Sequence, residues 1–575
     1  MKRYWKYIRP YIQYYILGPC FMMMEVVGDV LLPYMLAKII NQGIAERNVA
    51  YIIKIGAIMG FIAVIMAVGG VLGAWFASKA AMNFGADLRM DLFEKIQQFS
   101  FQNIDNFSTG SLITRLTNDI TQIQNMIMMT LRMCLRSPGI LIGAMVMAFV
   151  ISPKLAAIFI IVLPVLAVLI VVIMRRAFPQ FRTLQEKLDA LNSCIQEGLV
   201  GIRLIKSFVR GDYEEMRFEK RNQQLKEANL TAMKTMLLYT PLMTLALNIT
   251  TVVVVWSGGN MIVAGNMQVG DLTAFTNYIV QIMSSLTMLS IAFLNWARAI
   301  ASFHRVGEVL DEKIDLTDEN AKHKDRAVCE GSVEFQNVSF RYYKNSPEWV
   351  IENISFKLEA GKTLGIIGST GSGKSTLVSM IPRLYDTDEG TVLVDGINVR
   401  DYGLKPLREG IGMVLQNNTL FSGSITENLK WGDEHADEKA VRKAAQNAQA
   451  AGFIDSFKDG YRTRLEQSGN NVSGGQKQRL CIARALLKCP KILILDDSTS
   501  AVDTATERAI REALHSEYKD MTKIIIAQRI RSVMDADEIL VLDNGKTAGF
   551  GTHEQLLADC PVYREIYDVQ NGREE

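Results

Sequence analysis

TLGIIGSTGSGKSTLVSMIPRL, residues 363–384, decides how the C-terminal half of the chain folds. Thr363–Ile367 is a short apolar run of strand character, and Thr376–Leu384 has helical character. Between them Gly368-Ser369-Thr370-Gly371-Ser372-Gly373-Lys374-Ser375 fits GxxxxGK[ST]. A strand, a glycine-rich loop and a helix in that order are the context a phosphate cradle requires. The glycines let backbone N–H groups wrap the phosphates, Lys374 carries positive charge to the outer ones, and the Ser375 hydroxyl can ligate Mg2+. Working outward, Ser332–Tyr342 and Ile351–Leu358 alternate as strands do. Lys491–Asp497 (KILILDD) reads as a buried strand ending in carboxylates, which would let Asp496 hold Mg2+ directly or through water. These elements predict an α/β nucleotide-binding domain over 331–575, preceded by a polar linker at 311–330 with no apolar periodicity.

Upstream, over 1–310, the pattern changes. Six apolar runs, at about 14–40, 53–80, 127–152, 155–176, 235–263 and 270–298, each reach the roughly 20 residues a transmembrane helix needs. The first is too long for the apolar core of a signal peptide and shows no small-residue cleavage pattern. The expected architecture is therefore a six-helix, all-α transmembrane domain followed by the α/β domain. The basic N-terminal flank (Lys2, Arg3, Lys6, Arg9) and the long polar connections 81–126 and 177–234 carry Lys and Arg, whereas the connections near 43–52, 152–154 and 264–270 are short and hold few charges. By the positive-inside rule both termini and both long connections are cytoplasmic. Segment 180–234 has no proline and many good helix formers, so the spans are expected to run far beyond the bilayer as helices. They would turn at two tips, Asp105–Gly110 leading into Leu112–Asn118, and Gly201–Tyr213.

Charge and cysteine content exclude other classes. The 575 residues hold 62 Lys+Arg against 60 Asp+Glu, a net +2, which fits neither a strongly basic nucleic-acid binder nor an acidic disordered tail. The 7 Cys and 5 His are dispersed without metal-ligand spacing, so neither a disulfide framework nor a zinc site is expected. Polar residues do occur inside the apolar runs. Glu25 and Asp29 share a face of the first, Arg132 and Arg136 a face of the third, and Asn248, Asn277 and Asn295 sit in the last two. Two readings stay open for them: packing by ion pairs between helices, or a polar substrate cavity with methionine as adaptable lining.

Val472-Ser473-Gly474-Gly475-Gln476, followed by Lys477-Gln478-Arg479, lies between the phosphate loop and the carboxylate-ended strand. It closely resembles the LSGGQ signature of ATP-binding cassette proteins, with Val for the first Leu. Ser473 and the amides of Gly474 and Gly475 open a helix whose N-terminal end attracts anions. Nearly the whole chain then resembles a bacterial ABC exporter half-transporter, with six spans and one cassette. The resemblance implies ATP with Mg2+ as cofactor, the cytoplasmic membrane as location, and a dimer in which each signature faces the ATP of the other cassette. It implies further roles residue by residue. Tyr342 corresponds to the adenine-stacking aromatic. Gly368 to Thr376 hold the phosphates. Gln416 is the Q-loop glutamine that touches Mg2+ and the attacking water. Ser500-Ala501-Val502-Asp503 is the D-loop, and the two tips are the coupling helices.

Three positions depart from the family pattern. Asp497 stands where the family has its catalytic Glu, Gln528 where it has the switch His, and Gln467 where many exporters have a Glu before the signature. Asp497 is one methylene short, and a base must come within about 2.6–3.2 Å of its proton. Gln528 can hydrogen-bond a γ-phosphate but cannot carry a proton as imidazole does. Two losses in one hydrolytic site, beside an intact signature, resemble the degenerate-site subunit of heterodimeric multidrug ABC exporters. The implied partner is a second half-transporter with the Glu and the His, and the implied cargo is hydrophobic or amphipathic. A dedicated lipid, peptide or siderophore exporter and a homodimeric exporter are the alternatives. An ATP-gated channel and an importer fit less well, because no added regulatory segment is evident and importers commonly divide spans and cassette between chains.

Overall fold

The computed structural model describes residues 2–344, 346–498 and 501–571. Ser500 of the expected D-loop lies outside the described residues, as does the side chain of Asn295. The chain forms two compact units. The first comprises Met1–Gln97 and Thr109–Asp311, the second Gln98–Ser108 and Glu312–Glu575.

The first unit is helical. Among the described residues, five of its helices are long and apolar enough to cross a membrane: Trp5–Ile44, Val49–Gln97, Thr109–Ile151, Pro153–Val200 and Gly211–Val263. A sixth long helix, Val269–Asp311, carries the sixth apolar run, with Asn277, Gln281, Ser284 and Ser285 along it. At 49 residues, Val49–Gln97 is roughly 70 Å long, more than twice the ~30 Å hydrocarbon core of a bilayer, so it must continue well into water. Small residues let these helices approach. Gly69, Gly73 and Ala77 are buried, and a Cβ at Gly18 would lie 3.4 Å from the backbone nitrogen of Ala77. The opposite face of Val49–Gln97 exposes Ile53, Phe61, Val64 and Val71, as a lipid-facing stripe does.

The third span is interrupted. One helix ends at Met133 and the next starts at Arg136, with Cys134 and Leu135 between them. Pro138 in the first turn of the second piece has no N–H to continue the ladder. Of the two tips, the short helix Ile202–Ser207 stays with the first unit and exposes Leu204, and Phe208 directly after it is exposed too. The segment 98–108 packs in the second unit instead. There Ser100 caps the helix Phe101–Asp105 through a reciprocal pair with Asn103, and the Asn103 amide donates to the Lys313 carbonyl at 2.9 Å.

The second unit is built on a six-stranded sheet. Its order is Lys546–Gly551, Glu538–Asp543, Thr363–Gly368, Thr522–Ile526, Ile492–Asp496, Ile411–Val414. Only Lys546–Gly551 runs antiparallel. The central strands are branched aliphatics buried on both faces, the expected state of a parallel sheet covered by helices. A four-stranded antiparallel sheet adds Ile351–Leu358, Val333–Phe340, Glu389–Val394 and Ile397–Asn398. Its inner residues share a core with the strand Thr363–Gly368. A separate helical core forms around Leu480, Ile482 and Leu486 of the helix Gly474–Leu487. Residues 312–330 belong to this unit. Leu316 and Val328 are buried, and His323 makes a parallel bridge to Tyr402.

Candidate active site

Sheet register brings the site together. Ile526 lies level with Ile366 on one side and with Asp496 on the other. The carboxyl ends of three neighbouring parallel strands therefore meet. One strand runs into the phosphate loop, the second toward Gln528 and the third into Asp497. Ligands of open α/β sheets bind in such crevices. A cleft of about 320 Å³ opens there, lined by Tyr342, Val350, residues 370–376, Gln416, Asp496, Asp497, Ile526 and Gln528.

The loop is shaped by its glycines. Gly373 has φ 90°, and a Cβ on it would lie 2.6 Å from Ile351 Cγ2 and 2.9 Å from the Val350 carbonyl oxygen. Gly371, at φ 86°, borders open space. Lys374 starts the next helix, and its ammonium donates to the carbonyls of Gly368 at 2.8 Å and Ser369 at 2.7 Å. Burial lowers its pKa, against the pull of Asp497 and Asp496. The Ser375 hydroxyl donates to Asp496 Oδ1 at 2.9 Å. Burial raises the Asp496 pKa, opposed by that hydrogen bond and reinforced by the charge of Asp497. An ammonium beside a hydroxyl and two carboxylates in a half-buried cleft is a donor set that fits a Mg2+-bound polyphosphate. Ser375 and Asp496 are oxygen ligands of the kind Mg2+ takes.

Asp497 comes directly after its strand. It is in the left-handed region at φ 47°, and its N–H donates to the Ile526 carbonyl at 3.1 Å. Its Oδ2 accepts from the Gln528 amide at 2.9 Å. Burial raises its pKa, against Lys374, the Gln528 hydrogen bond and Arg529. At the other end of the cleft, Tyr342 shares a 2.9 Å hydrogen bond with Thr376 and packs edge-on against Tyr385, ring centroids 5.3 Å apart. The Tyr385 hydroxyl in turn donates to Asp105 Oδ2 at 2.9 Å.

Of the residues singled out from sequence, Tyr342, Thr370 to Thr376, Gln416, Asp496, Asp497 and Gln528 line this one cleft, while Gly368 and Ser369 frame the loop behind it. Ser473, Gly474, Gly475 and Gln476 do not line it. They form a helix N-terminus elsewhere in the unit. Ser473 Oγ accepts from the Gln476 N–H and Gln476 Oε1 accepts from the Ser473 N–H, a capping box. Gly475 must be glycine, because a Cβ would lie 2.8 Å from the Ala501 carbonyl oxygen, and the buried Gln478 accepts from the Ala501 N–H at 3.1 Å. Sequence reasoning missed Val350 and Ile526 as lining residues. Ile526 was available as the strand end two residues before Gln528; Val350 had no signal of its own.

Family comparison agrees with this geometry. Residues 15–286 match the ABC transporter transmembrane region and residues 351–500 match ABC transporter, the ATP-binding portion. The uncharacterized ABC transporter ATP-binding protein YfiB of Bacillus subtilis is 39% identical over 574 residues, covering 100% of this chain and 99% of that protein. The chain belongs to the ABC transporters. It is a multi-pass membrane protein with one membrane region and one ATPase domain coupled to transport. A further B. subtilis relative, the ATP-binding/permease protein YgaD, whose name proposes multidrug export, is 33% identical over 99% of both chains. The fold of this ABC transporter is that of a bacterial Atm1-family ABC exporter solved with ATP bound, at TM-score 0.81 and 24% identity over 98% of each chain.

Proposed function

We propose that this chain is the degenerate-site half of a heterodimeric ABC exporter that expels hydrophobic or amphipathic compounds across the bacterial cytoplasmic membrane. Six spans, with Val269–Asp311 as the sixth, carry the pathway, and both termini are cytoplasmic. The observation that carries the reading is the Asp497–Gln528 pair. The carboxylate directly after Asp496 is the shorter Asp, and a neutral amide already occupies one of its oxygens at 2.9 Å. A general base needs an oxygen free to reach the attacking water. Tyr342 stacks the adenine, residues 368–376 hold the phosphates, Ser375, Asp496 and Gln416 attend Mg2+, and the bound ATP turns over slowly.

The signature supports the asymmetry. Ser473 to Gln476 form a capped helix start, and a helix N-terminus suits the γ-phosphate of a partner cassette. A partner bearing Glu and His would complete one competent site with it. ATP binding then closes the cassettes, the tips pass the motion to the spans, and hydrolysis at the competent site resets them. The YgaD name supports the multidrug cargo. The test is ATP turnover of the purified chain alone and co-purified with a second half-transporter. Low turnover alone and high turnover in the pair is the expected result. High turnover alone would replace this reading with a homodimeric exporter.

A further inference from the structure

The first unit holds a charged cluster within two of its apolar runs. Glu25 and Asp29 sit near the middle of 14–40, and Arg132 and Arg136 lie within 127–152. Arg136 donates to Glu25 Oε1 at 2.9 Å and to Asp29 Oδ2 at 3.2 Å, so one guanidinium serves both acids. Its Nε is buried and has no hydrogen-bond partner among the described residues. Arg132, one turn earlier, makes no ion pair or hydrogen bond among the described residues and is exposed. A cavity of about 240 Å³ lies against them, lined by Met22, Glu25, Gly70, Arg132, Met133 and Arg136.

A charge left unpaired inside a membrane is costly, so such residues face a cavity and meet a counter-charge there. Here the four charges sum to zero but are unevenly paired. The trio Glu25–Asp29–Arg136 carries one net negative charge, and Arg132 carries one positive charge beside it. Glu25 Oε2 lies over Gly70, where a Cβ would come within 3.3 Å of it, and accepts no hydrogen bond among the described residues. The helix break at Cys134–Leu135 adds a helix start at Arg136 on the Arg132 side. Interrupted helices at membrane depth occur where they line a cavity.

We infer that this cavity is a head-group subsite for a zwitterionic amphiphile, with a phosphate or carboxylate on Arg132 and an ammonium toward Glu25. A purely anionic or cationic head would leave net charge in the low-dielectric region; a zwitterion adds none. The volume is below the ~300–1,000 Å³ of drug-sized pockets, so it takes the head alone, with Met22 and Met133 as polarizable walls. Such a head belongs to a membrane phospholipid or to a free amphiphile. This inference rests on the exporter reading above.

The test is equilibrium binding to the full chain in nanodiscs of phosphatidylglycerol. The probes are dodecylphosphocholine, dodecyl phosphate and dodecyltrimethylammonium, which share one tail. The zwitterion is expected to bind about tenfold more tightly than either ion, since it alone makes both charged contacts. Arg132→Gln leaves the Arg136 ion pairs intact, so the protein should fold, yet the advantage over the cation should vanish; Arg132→Lys should keep most of it. Repeating the titration in phosphatidylethanolamine nanodiscs assigns the source: a weaker apparent affinity marks the lipid head group as occupant, an unchanged one a free amphiphile. Absence of ATP-driven probe movement by the chain co-reconstituted with its partner half-transporter in proteoliposomes, with the binding order intact, would overturn the exporter reading and leave the subsite standing. Equal affinity for the three probes, or an order unchanged by Arg132→Gln, would overturn the subsite.

Discussion

Restoring the two altered positions should convert the chain into an active ATPase by itself. In the double variant Asp497→Glu with Gln528→His, the added methylene extends the carboxylate by roughly 1.5 Å of bond length. Displacement of a reacting group by about 1 Å is worth on the order of 10²-fold in rate. The His removes the amide that now donates to Asp497 at 2.9 Å and supplies a group able to exchange a proton. The expected gain is about 10²-fold in kcat, or ~2.7 kcal/mol in barrier. Asp497→Glu alone should give about a tenth of that, because Gln528 still holds one oxygen.

The assay is steady-state phosphate release by the purified chain, which on self-association offers its own Ser473–Gln476 to each ATP. Nucleotide binding is measured in parallel with a fluorescent ATP analogue. If the double variant binds nucleotide as the natural chain does and its turnover does not rise, the carboxylate position does not limit hydrolysis and the argument from Asp497 fails.

Ser375→Ala removes the hydroxyl that donates to Asp496 at 2.9 Å, and should weaken ATP binding about tenfold with Mg2+ but little in EDTA, by the same fluorescent titration. Gly373→Ala forces a side chain into φ 90° and against Ile351 and Val350, and should destabilise the ATPase domain by about 1–3 kcal/mol with loss of nucleotide binding, read from thermal melts. Tyr385→Phe deletes the hydrogen bond to Asp105 and should cost about 0.5–1.5 kcal/mol, seen as faster proteolysis within 98–108. Because burial raises the Tyr385 pKa from its ordinary 10.0, that contribution is complete below pH 10 and fades only as the pH climbs through the higher folded value. Gln478→Ala frees the Ala501 N–H, and should lower turnover of the partnered complex several-fold while leaving this chain's own ATP affinity unchanged.

Much of the ATPase domain was legible because its motifs are local. Gly368–Ser375 carries its turn chemistry in consecutive residues, and the strand before it and the helix after it announce themselves by composition. The pairing of Gln528 with Asp497 was not legible. The two are 31 positions apart and meet only because Thr522–Ile526 lies between the strands that end in Gly368 and Asp496, a fact of sheet order. Glu25 with Asp29, and Arg132 with Arg136, could each be placed on a helix face from spacing. That Arg136 serves both acids and Arg132 neither depends on the break at Cys134–Leu135, which Pro138 only hints at. The stretch 311–330 read as a linker because it lacks periodicity, yet Leu316 and Val328 are buried singly, and two isolated anchors have no period to detect.

The asymmetry proposed for the two ATP sites needs a physical link between them, and the second unit contains one. In the proposed dimer the signature helix serves a partner's nucleotide, while Asp496 and Asp497 attend the chain's own. Ala501 lies just beyond the second pair in sequence and touches the first in space. Its carbonyl closes on Gly475 so tightly that no side chain fits, and its N–H is held by Gln478 on the same helix. Asp503 then caps the next helix by accepting from the Thr506 N–H at 2.9 Å, which fixes the far end of the loop. Motion of the carboxylates that reaches Ala501 must move the signature helix with it. A slow site that keeps its ATP would therefore hold the partner's γ-phosphate donors in place through many turnovers of the competent site. On this view the loss of the Glu and the His is not decay: it turns one nucleotide into a clamp and leaves the other to do the work.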